Sequence, residues 1–213
     1  MALLHDGKDV MDKEYKELTS EMWSKGHSFF LYLSDNPSSL SSCCRLQNKI
    51  ADNTFSFTNG LTGVQTGSCN VITLNLNRII QMWSRESNSK TDWESLKQYL
   101  INILSRVYKY HKAFKYNLYT FEKAGQLTAS KAGYISMDRL YSTIGVNGFN
   151  EAAMFLGLKV SDNDDYKKFC NLITSTISEQ NKLNSSPKYK FNQEFVPAES
   201  LGSKNFNWDK EDG

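Results

Sequence analysis

Cys43 and Cys44 are adjacent in Ser42-Cys43-Cys44-Arg45-Leu46. Cys69 follows in Thr66-Gly67-Ser68-Cys69-Asn70-Val71-Ile72-Thr73-Leu74-Asn75-Leu76. Three of the four cysteines therefore fall within 27 residues, and the third opens an apolar, β-branched run. Thiols on a loop and at an adjacent strand end suit thiol redox or thiyl-radical chemistry. The competing role is packing, because free cysteine is often a small buried hydrophobe. The pair lacks CxxC spacing and a nearby histidine, which argues against a zinc site. Cys170 lies on the apolar stripe of a helix and reads as core.

Two further clusters carry polar groups at turns. Tyr141 to Gly148 reads as a short strand running into a glycine turn, and Phe149 to Gly157 as the start of a helix. Glu151 then lies in a first helical turn, where a carboxylate complements the positive end of the helix dipole. Ser200-Leu201-Gly202-Ser203 is either an ordinary turn or a set of backbone N–H groups and hydroxyls for a phosphate. Lys49, Lys90 and the Lys109–Lys115 stretch read as solvated.

The elements that must position these groups alternate between helix and strand. Val10, Tyr15, Leu18, Met22 and Trp23 have helical spacing, with Gly26 as the stop. Phe29 to Leu33 reads as a strand broken at Asp35-Asn36-Pro37. Most of 38–69, rich in Ser, Thr, Asn and Gly, reads as loop. Val71 to Leu76 reads as a strand apolar enough to be mostly buried. Thr91-Asp92-Trp93-Glu94 has the form of a capping box. It opens a long helix through Leu96, Leu100, Ile103, Leu104, Val107, Phe114 and Leu118. Asp164 to Leu183 is another amphipathic helix, Tyr189 to Val196 alternates as a strand, and Pro197 ends it before a polar loop over 198–204. Strand–helix alternation without a clear linker indicates one α/β domain over 1–213 with a largely parallel sheet.

Composition narrows the function. A chain of 213 residues can bury a sizeable core, and an aromatic fraction of 13% argues against disorder. The net charge of +2 gives no support for nucleic-acid binding. No segment reaches the 18 or so apolar residues of a membrane span. The polar start Met1-Ala2-Leu3-Leu4-His5-Asp6-Gly7 does not read as a signal peptide. Free thiols without a secretion signal point to a reducing, cytoplasmic setting.

Four segments, 39–46, 67–79, 142–152 and 191–202, together resemble consecutive motifs of the anaerobic, class III ribonucleoside-triphosphate reductase. They read Ser-Leu-Ser-Ser-Cys-Cys-Arg-Leu, Gly-Ser-Cys-Asn-Val-Ile-Thr-Leu-Asn-Leu-Asn-Arg-Ile, Ser-Thr-Ile-Gly-Val-Asn-Gly-Phe-Asn-Glu-Ala and Phe-Asn-Gln-Glu-Phe-Val-Pro-Ala-Glu-Ser-Leu-Gly. They occur in the family's order and span nearly the whole chain. The resemblance implies part of a ten-stranded α/β barrel, roughly its second half, with a finger loop over about 38–69 threaded through the centre. It implies that Cys44, matching the cysteine before Arg in the finger-loop motif, carries the transient thiyl radical that abstracts the ribose 3′ hydrogen. Cys69 falls where some branches have a redox cysteine and formate-using branches have asparagine. Glu151 matches the carboxylate of branches that do not use formate, where it accepts the 3′-hydroxyl proton. Ser42, Cys43 and Asn147 would line the substrate site, and Ser200, Leu201 and Gly202, within a loop over about 197–204, would cradle its phosphates.

The family's glycyl-radical motif, C-terminal cysteine zinc site, effector-binding cone and first-strand redox cysteine have no counterpart in these residues. The expectation is an excised piece or one subunit of a split enzyme, inactive alone and binding no cofactor or metal by itself. Its partners would be a ribonucleoside triphosphate, the remaining reductase segments and a thioredoxin- or glutaredoxin-like reductant. A further partner would be an iron–sulfur S-adenosylmethionine activase that generates the glycyl radical. Two alternatives stand beside this. One is a glycyl-radical enzyme of the pyruvate formate-lyase type, which also has adjacent cysteines. The other is a catalytically inactive nucleotide-binding or assembly module. Cys69, Glu151 and the phosphate-type loop favour the reductase over acyl transfer.

Overall fold

The computed structural model describes residues 2–5, 12–27, 30–33, 39–41, 47–49, 67–196 and 200–211. The chain divides into two units, Met1–Val64 and Gln65–Gly213. In the first, β1 (Ala2–His5) pairs in parallel with β2 (Phe30–Leu33), and β3 (Ser39–Ser41) pairs antiparallel with β4 (Gln47–Lys49). Helix α1 (Lys13–Ser24) starts where the Asp12 carboxylate accepts from the Tyr15 amide at 2.9 Å. It stops at Lys25, ahead of Gly26. The expected loop over 38–69 thus contains a short antiparallel strand pair. Ser42, Cys43 and Cys44 lie outside the described residues.

The second unit is built on three parallel strands in the order β5 (Gly67–Asn75), β6 (Leu140–Asn147), β7 (Lys190–Phe195). Helices α2 (Leu76–Ser87), α3 (Trp93–Lys123) and α4 (Thr128–Lys131), with a 3-10 turn at Met137–Arg139, connect β5 to β6. Helices α5 (Phe149–Phe155) and α6 (Asp164–Asn184) connect β6 to β7, and α7 (Leu201–Glu211) follows β7. This is the mixed α/β architecture with a parallel sheet that the alternation of elements implies. Leu74, Ile144, Val146 and Phe191 from the sheet are buried with Leu76, Ile80 and Trp83 of α2. Leu96, Leu100, Leu104, Val107 and Tyr108 of α3, Ala152 and Ala153 of α5, and Phe169, Ile173 and Ile177 of α6 complete that core.

Side chains alternate across a strand, so the other face carries Thr73, Thr143, Gly145, Asn192 and Glu194. Thr143 Oγ1 lies 2.8 Å from Ser68 Oγ and donates to Asn192 Oδ1 at 2.8 Å, tying the three strands together. At Gly145 a Cβ would fall 2.6 Å from both Thr73 Oγ1 and Val196 Cγ2, so only glycine fits.

Several elements differ from expectation. Strand β5 begins at Gly67 rather than Val71, with a bulge between Ser68 and Asn70. Leu76 opens α2 rather than closing the strand, because the Asn75 side chain accepts from the Arg78 amide and caps a helix. Asp92, not Thr91, caps α3, accepting from the Ser95 amide at 3.1 Å. The polar stretch from Leu201 is helical rather than loop. Lys115 is fully buried instead of solvated, and its ammonium donates to the Leu140 carbonyl at 2.7 Å. Lys90 donates to the Phe155 carbonyl at 3.1 Å and stacks over that ring. Cys170 is half-buried against the core.

Candidate active site

The carboxyl ends of adjacent parallel strands are where α/β sheets bind ligands, since the chain turns away there and leaves a crevice. Here Asn75 ends β5 and Asn147 ends β6, and the two are register partners. Each strand then enters a helix. Asn75 caps α2, and Gly148, at φ +83°, caps α5. That positive φ is a conformation glycine adopts freely. A Cβ on Gly148 would also lie 3.2 Å from the Asn77 backbone nitrogen.

The consequence is a cleft at the strand ends, covered by α7. One part, of about 160 Å³, is lined by Asn75, Asn77, Asn147, Glu151, Gly202 and Asp209 among others. The adjoining part, of about 350 Å³, is lined by Thr73, Asn75, Arg78, Leu201, Trp208 and Asp209 among others. Asn75, Asn205 and Asp209 belong to both. Helix α7 is joined to α2 by the Asn77 amide, which donates to Asp209 Oδ2 at 3.1 Å. Asn77 in turn accepts from Gln81 at 3.2 Å. The Asn147 carboxamide oxygen accepts from the Gly148 amide at 2.7 Å. Its buried Nδ2 has no acceptor among the described residues.

Asn147, Glu151, Leu201 and Gly202 therefore meet around one cleft. Cys69 does not join them. It lies six residues before Asn75 on β5, about 20 Å along the strand. Its thiol donates to the Tyr141 carbonyl at 3.3 Å and sits 3.6 Å from Ser142 Oγ. The neighbouring charge is Lys115 of α3. Burial pushes its pKa down, the proximity of Cys69 and Asp138 opposes that shift, and Lys190 adds to it. Arg78, Asn75, Asn77 and Asp209 were not singled out from sequence. The signal for Arg78 was its place three residues after a capping asparagine at the end of an apolar run.

A parallel sheet with a polar cleft at its carboxyl edge, roofed by a following helix, defines a domain of the α/β class, whose ligands bind at that edge of the sheet. The family model of the anaerobic ribonucleoside-triphosphate reductase matches residues 3–212, and the chain belongs to that family of oxidoreductases. Among solved structures, it is similar to the anaerobic ribonucleotide reductase from Thermotoga maritima with citrate in the active site. The identity is 27% and the TM-score 0.70, over 93% of this chain and 35% of that one. The same enzyme in complex with dATP and CTP gives 26% and 0.69, over 93% and 32%. A further anaerobic ribonucleotide reductase, at 24% identity and TM-score 0.72 over 98% and 32%, shares the fold. No curated protein matches. The chain spans 32% to 35% of the length of these structures.

Proposed function

We propose that the chain forms part of the catalytic α/β barrel of an anaerobic ribonucleotide reductase and helps reduce ribonucleoside triphosphates by thiyl-radical chemistry. The observation that carries this is the meeting of Asn147, Glu151 and Gly202, from two separate family motifs, around one cleft at the carboxyl edge of the sheet. In this reading the Cys44 sulfur radical takes the ribose 3′ hydrogen, leaving a thiol and a carbon radical. The Glu151 carboxylate accepts the 3′-hydroxyl proton, a dithiol protonates the 2′-hydroxyl, which leaves as water, and supplies the hydrogen that replaces it at C2′, becoming a disulfide; Glu151 then returns its proton to O3′ and the Cys44 thiol its hydrogen to C3′, restoring the sulfur radical. The glycyl radical that starts the cycle, and the iron–sulfur S-adenosylmethionine enzyme that generates it, are not supplied by these 213 residues. Nor are the other barrel segments. A thioredoxin- or glutaredoxin-like protein resets the dithiol in a cytoplasmic setting.

Cys69 carries a second reading. In the reductase scheme it delivers electrons after hydrogen abstraction. Its place about 20 Å along β5 from the cleft edge, bonded to the Tyr141 carbonyl, favours packing beside Lys115 instead. The test is a complex of this chain with the missing reductase segments and an activase, assayed anaerobically for deoxynucleotide formation without formate. Cys44→Ser should abolish turnover, because an O–H bond is too strong for the hydroxyl to serve in place of the thiol. Loss of turnover with Cys69→Ser, with the glycyl radical still formed, assigns electron delivery to Cys69; retained turnover assigns packing. Full activity of both Cys44→Ser and Cys43→Ser would refute the radical scheme for this chain. Strict dependence on formate would refute the dithiol route.

A further inference from the structure

Arg78 and Glu151 occupy equivalent places in two successive βα units. Asn75 and Asn147 are register partners at the ends of adjacent strands. Asn75 caps α2 and Arg78 is the third residue of that helix; Gly148 caps α5 and Glu151 is the third residue of that one. Neighbouring strands are about 4.8 Å apart, so a cation and a carboxylate flank one continuous cleft at the same depth. The Glu151 part is the smaller, at about 160 Å³, and the Arg78 part the larger, at about 350 Å³.

The larger part has further features suited to a polyanion. Its floor is the first turn of α2, a helix of 12 residues. Its roof is the face of α7 bearing Leu201, Asn205, Trp208 and Asp209. Amide N–H groups of a first helical turn face outward and carry partial positive charge. In the adjoining smaller part, at the end of the neighbouring strand, the buried Asn147 Nδ2 is a donor with no acceptor among the described residues. The carboxylate lining this larger part, Asp209, accepts from Asn77. It lies eight residues beyond Leu201, about 12 Å along α7, so the amino end of α7 is the end open to an anion.

We propose that Arg78 is a specificity-determining residue that grips the outer phosphates of the ribonucleoside triphosphate, while Glu151 faces the ribose. This rests on the nucleotide-reductase reading above and adds to it a residue and a direction: sugar on the β6–α5 side, phosphates on the β5–α2 side. An arginine fork pairs with two phosphate oxygens at once, which lysine does not reproduce. The site then distinguishes a triphosphate from a nucleoside through Arg78 and not through Glu151.

Calorimetric titration of the 213-residue chain with CTP, cytidine and inorganic tripolyphosphate tests this. For Arg78→Ala, the affinity for CTP and for tripolyphosphate should fall about 10- to 100-fold, the equivalent of a lost charged hydrogen-bonding pair. Cytidine affinity should stay the same. Arg78→Lys should recover only part of the loss. Glu151→Gln removes a negative charge from the same cleft and should not weaken tripolyphosphate binding. Unchanged CTP binding by Arg78→Ala, with the wild-type chain binding normally, overturns the role of Arg78 and leaves the reductase reading standing. An equal loss for cytidine and CTP, or a lowered melting temperature that accounts for the loss, also overturns it by showing a structural effect. Failure of the wild-type chain to bind any of the three overturns the Arg78 assignment, while the reductase reading is decided separately by turnover of the reconstituted complex.

Discussion

His111 predicts a specific acid limb in stability. It lies on the buried face of α3, fully inaccessible, with its ring 6.1 Å from that of Phe191. Burial penalises the imidazolium and holds its pKa down at about 4 against the ordinary 6.5, with the Thr143 backbone opposing the shift. In the unfolded chain the same ring takes up a proton near pH 6.5. Between those two values the unfolded state binds more protons than the folded one, so stability falls as the pH falls. The contribution is complete above about pH 6.5 and lost progressively down to about pH 4. At 1.36 kcal/mol per unit, the full loss is about 3 kcal/mol, of which about 2 kcal/mol is gone by pH 5. That is a large share of a typical domain's net stability. The assay is urea denaturation followed by far-ultraviolet circular dichroism at about pH 7.5, 6 and 5, for the wild type and His111→Asn. Carboxylates titrate in both proteins, so the difference between the two slopes isolates the histidine. The wild type should lose about 2 kcal/mol more than the variant between pH 7.5 and 5. Parallel slopes, or a His111 ring proton titrating near 6.5 in the folded protein by NMR, would refute the buried neutral imidazole.

Three other outcomes follow from named contacts. Tyr108→Phe removes the donor that reaches Asn181 Oδ1 at 2.7 Å in the core, and should cost about 1–3 kcal/mol in urea denaturation by leaving a buried acceptor unmet. Gly145→Ala places a Cβ 2.6 Å from Thr73 Oγ1 and Val196 Cγ2, and should lower the denaturation midpoint by the equivalent of about 1–3 kcal/mol. In the reconstituted complex, Glu151→Gln should keep nucleotide binding by calorimetry yet slow turnover by about 10²–10⁴-fold, the usual effect of losing a general base. Wild-type turnover in that variant would remove Glu151 from proton transfer.

The sequence readings succeeded where local pattern and tertiary demand agreed. Leu96, Leu100, Leu104 and Val107 recur at helical spacing, and the same residues face the core of α3. Tyr141 to Gly148 reads as a short strand running into a glycine turn, and it forms β6 with a positive-φ cap at Gly148. The failures are equally physical. The core-facing stripe of α2, Leu76, Ile79, Ile80 and Trp83, is short and includes the polar Ser84, and it follows the apolar strand without a break that marks its start. The run before it was β-branched enough to extend the strand through Leu76. The capping Asn75 decides between the two, and an asparagine reads equally well inside a polar turn. Lys115 was missed for a different reason. In a lysine-rich stretch nothing local separates the one ammonium that will meet a carbonyl, Leu140 O, across 25 residues from those that stay in water.

The cleft shows the same division between local and distant information. Asn147, Gly148 and Glu151 are neighbours in sequence and in space, so a single motif exposes them. Arg78 joins them only because β5 and β6 are parallel and in register, which brings residues 75 and 147 side by side after 72 residues of chain. Each strand-to-helix junction alone is an ordinary cap. Set beside each other, the two junctions put an arginine and a glutamate at matched positions, and α7 closes over both through Asp209 and Asn77. A strand register is a long-range property, so a binding site assembled by register stays invisible to motif spacing. The same argument separates Cys69 from the cleft. It belongs to the same motif as Asn75, yet a strand converts six residues of sequence into about 20 Å of distance, whereas six residues of helix would span about 9 Å. Proximity in the sequence of an extended segment is therefore poor evidence of a shared substrate atom, and the electron-delivery role of Cys69 stands or falls on the Cys69→Ser turnover measurement rather than on its place in the motif.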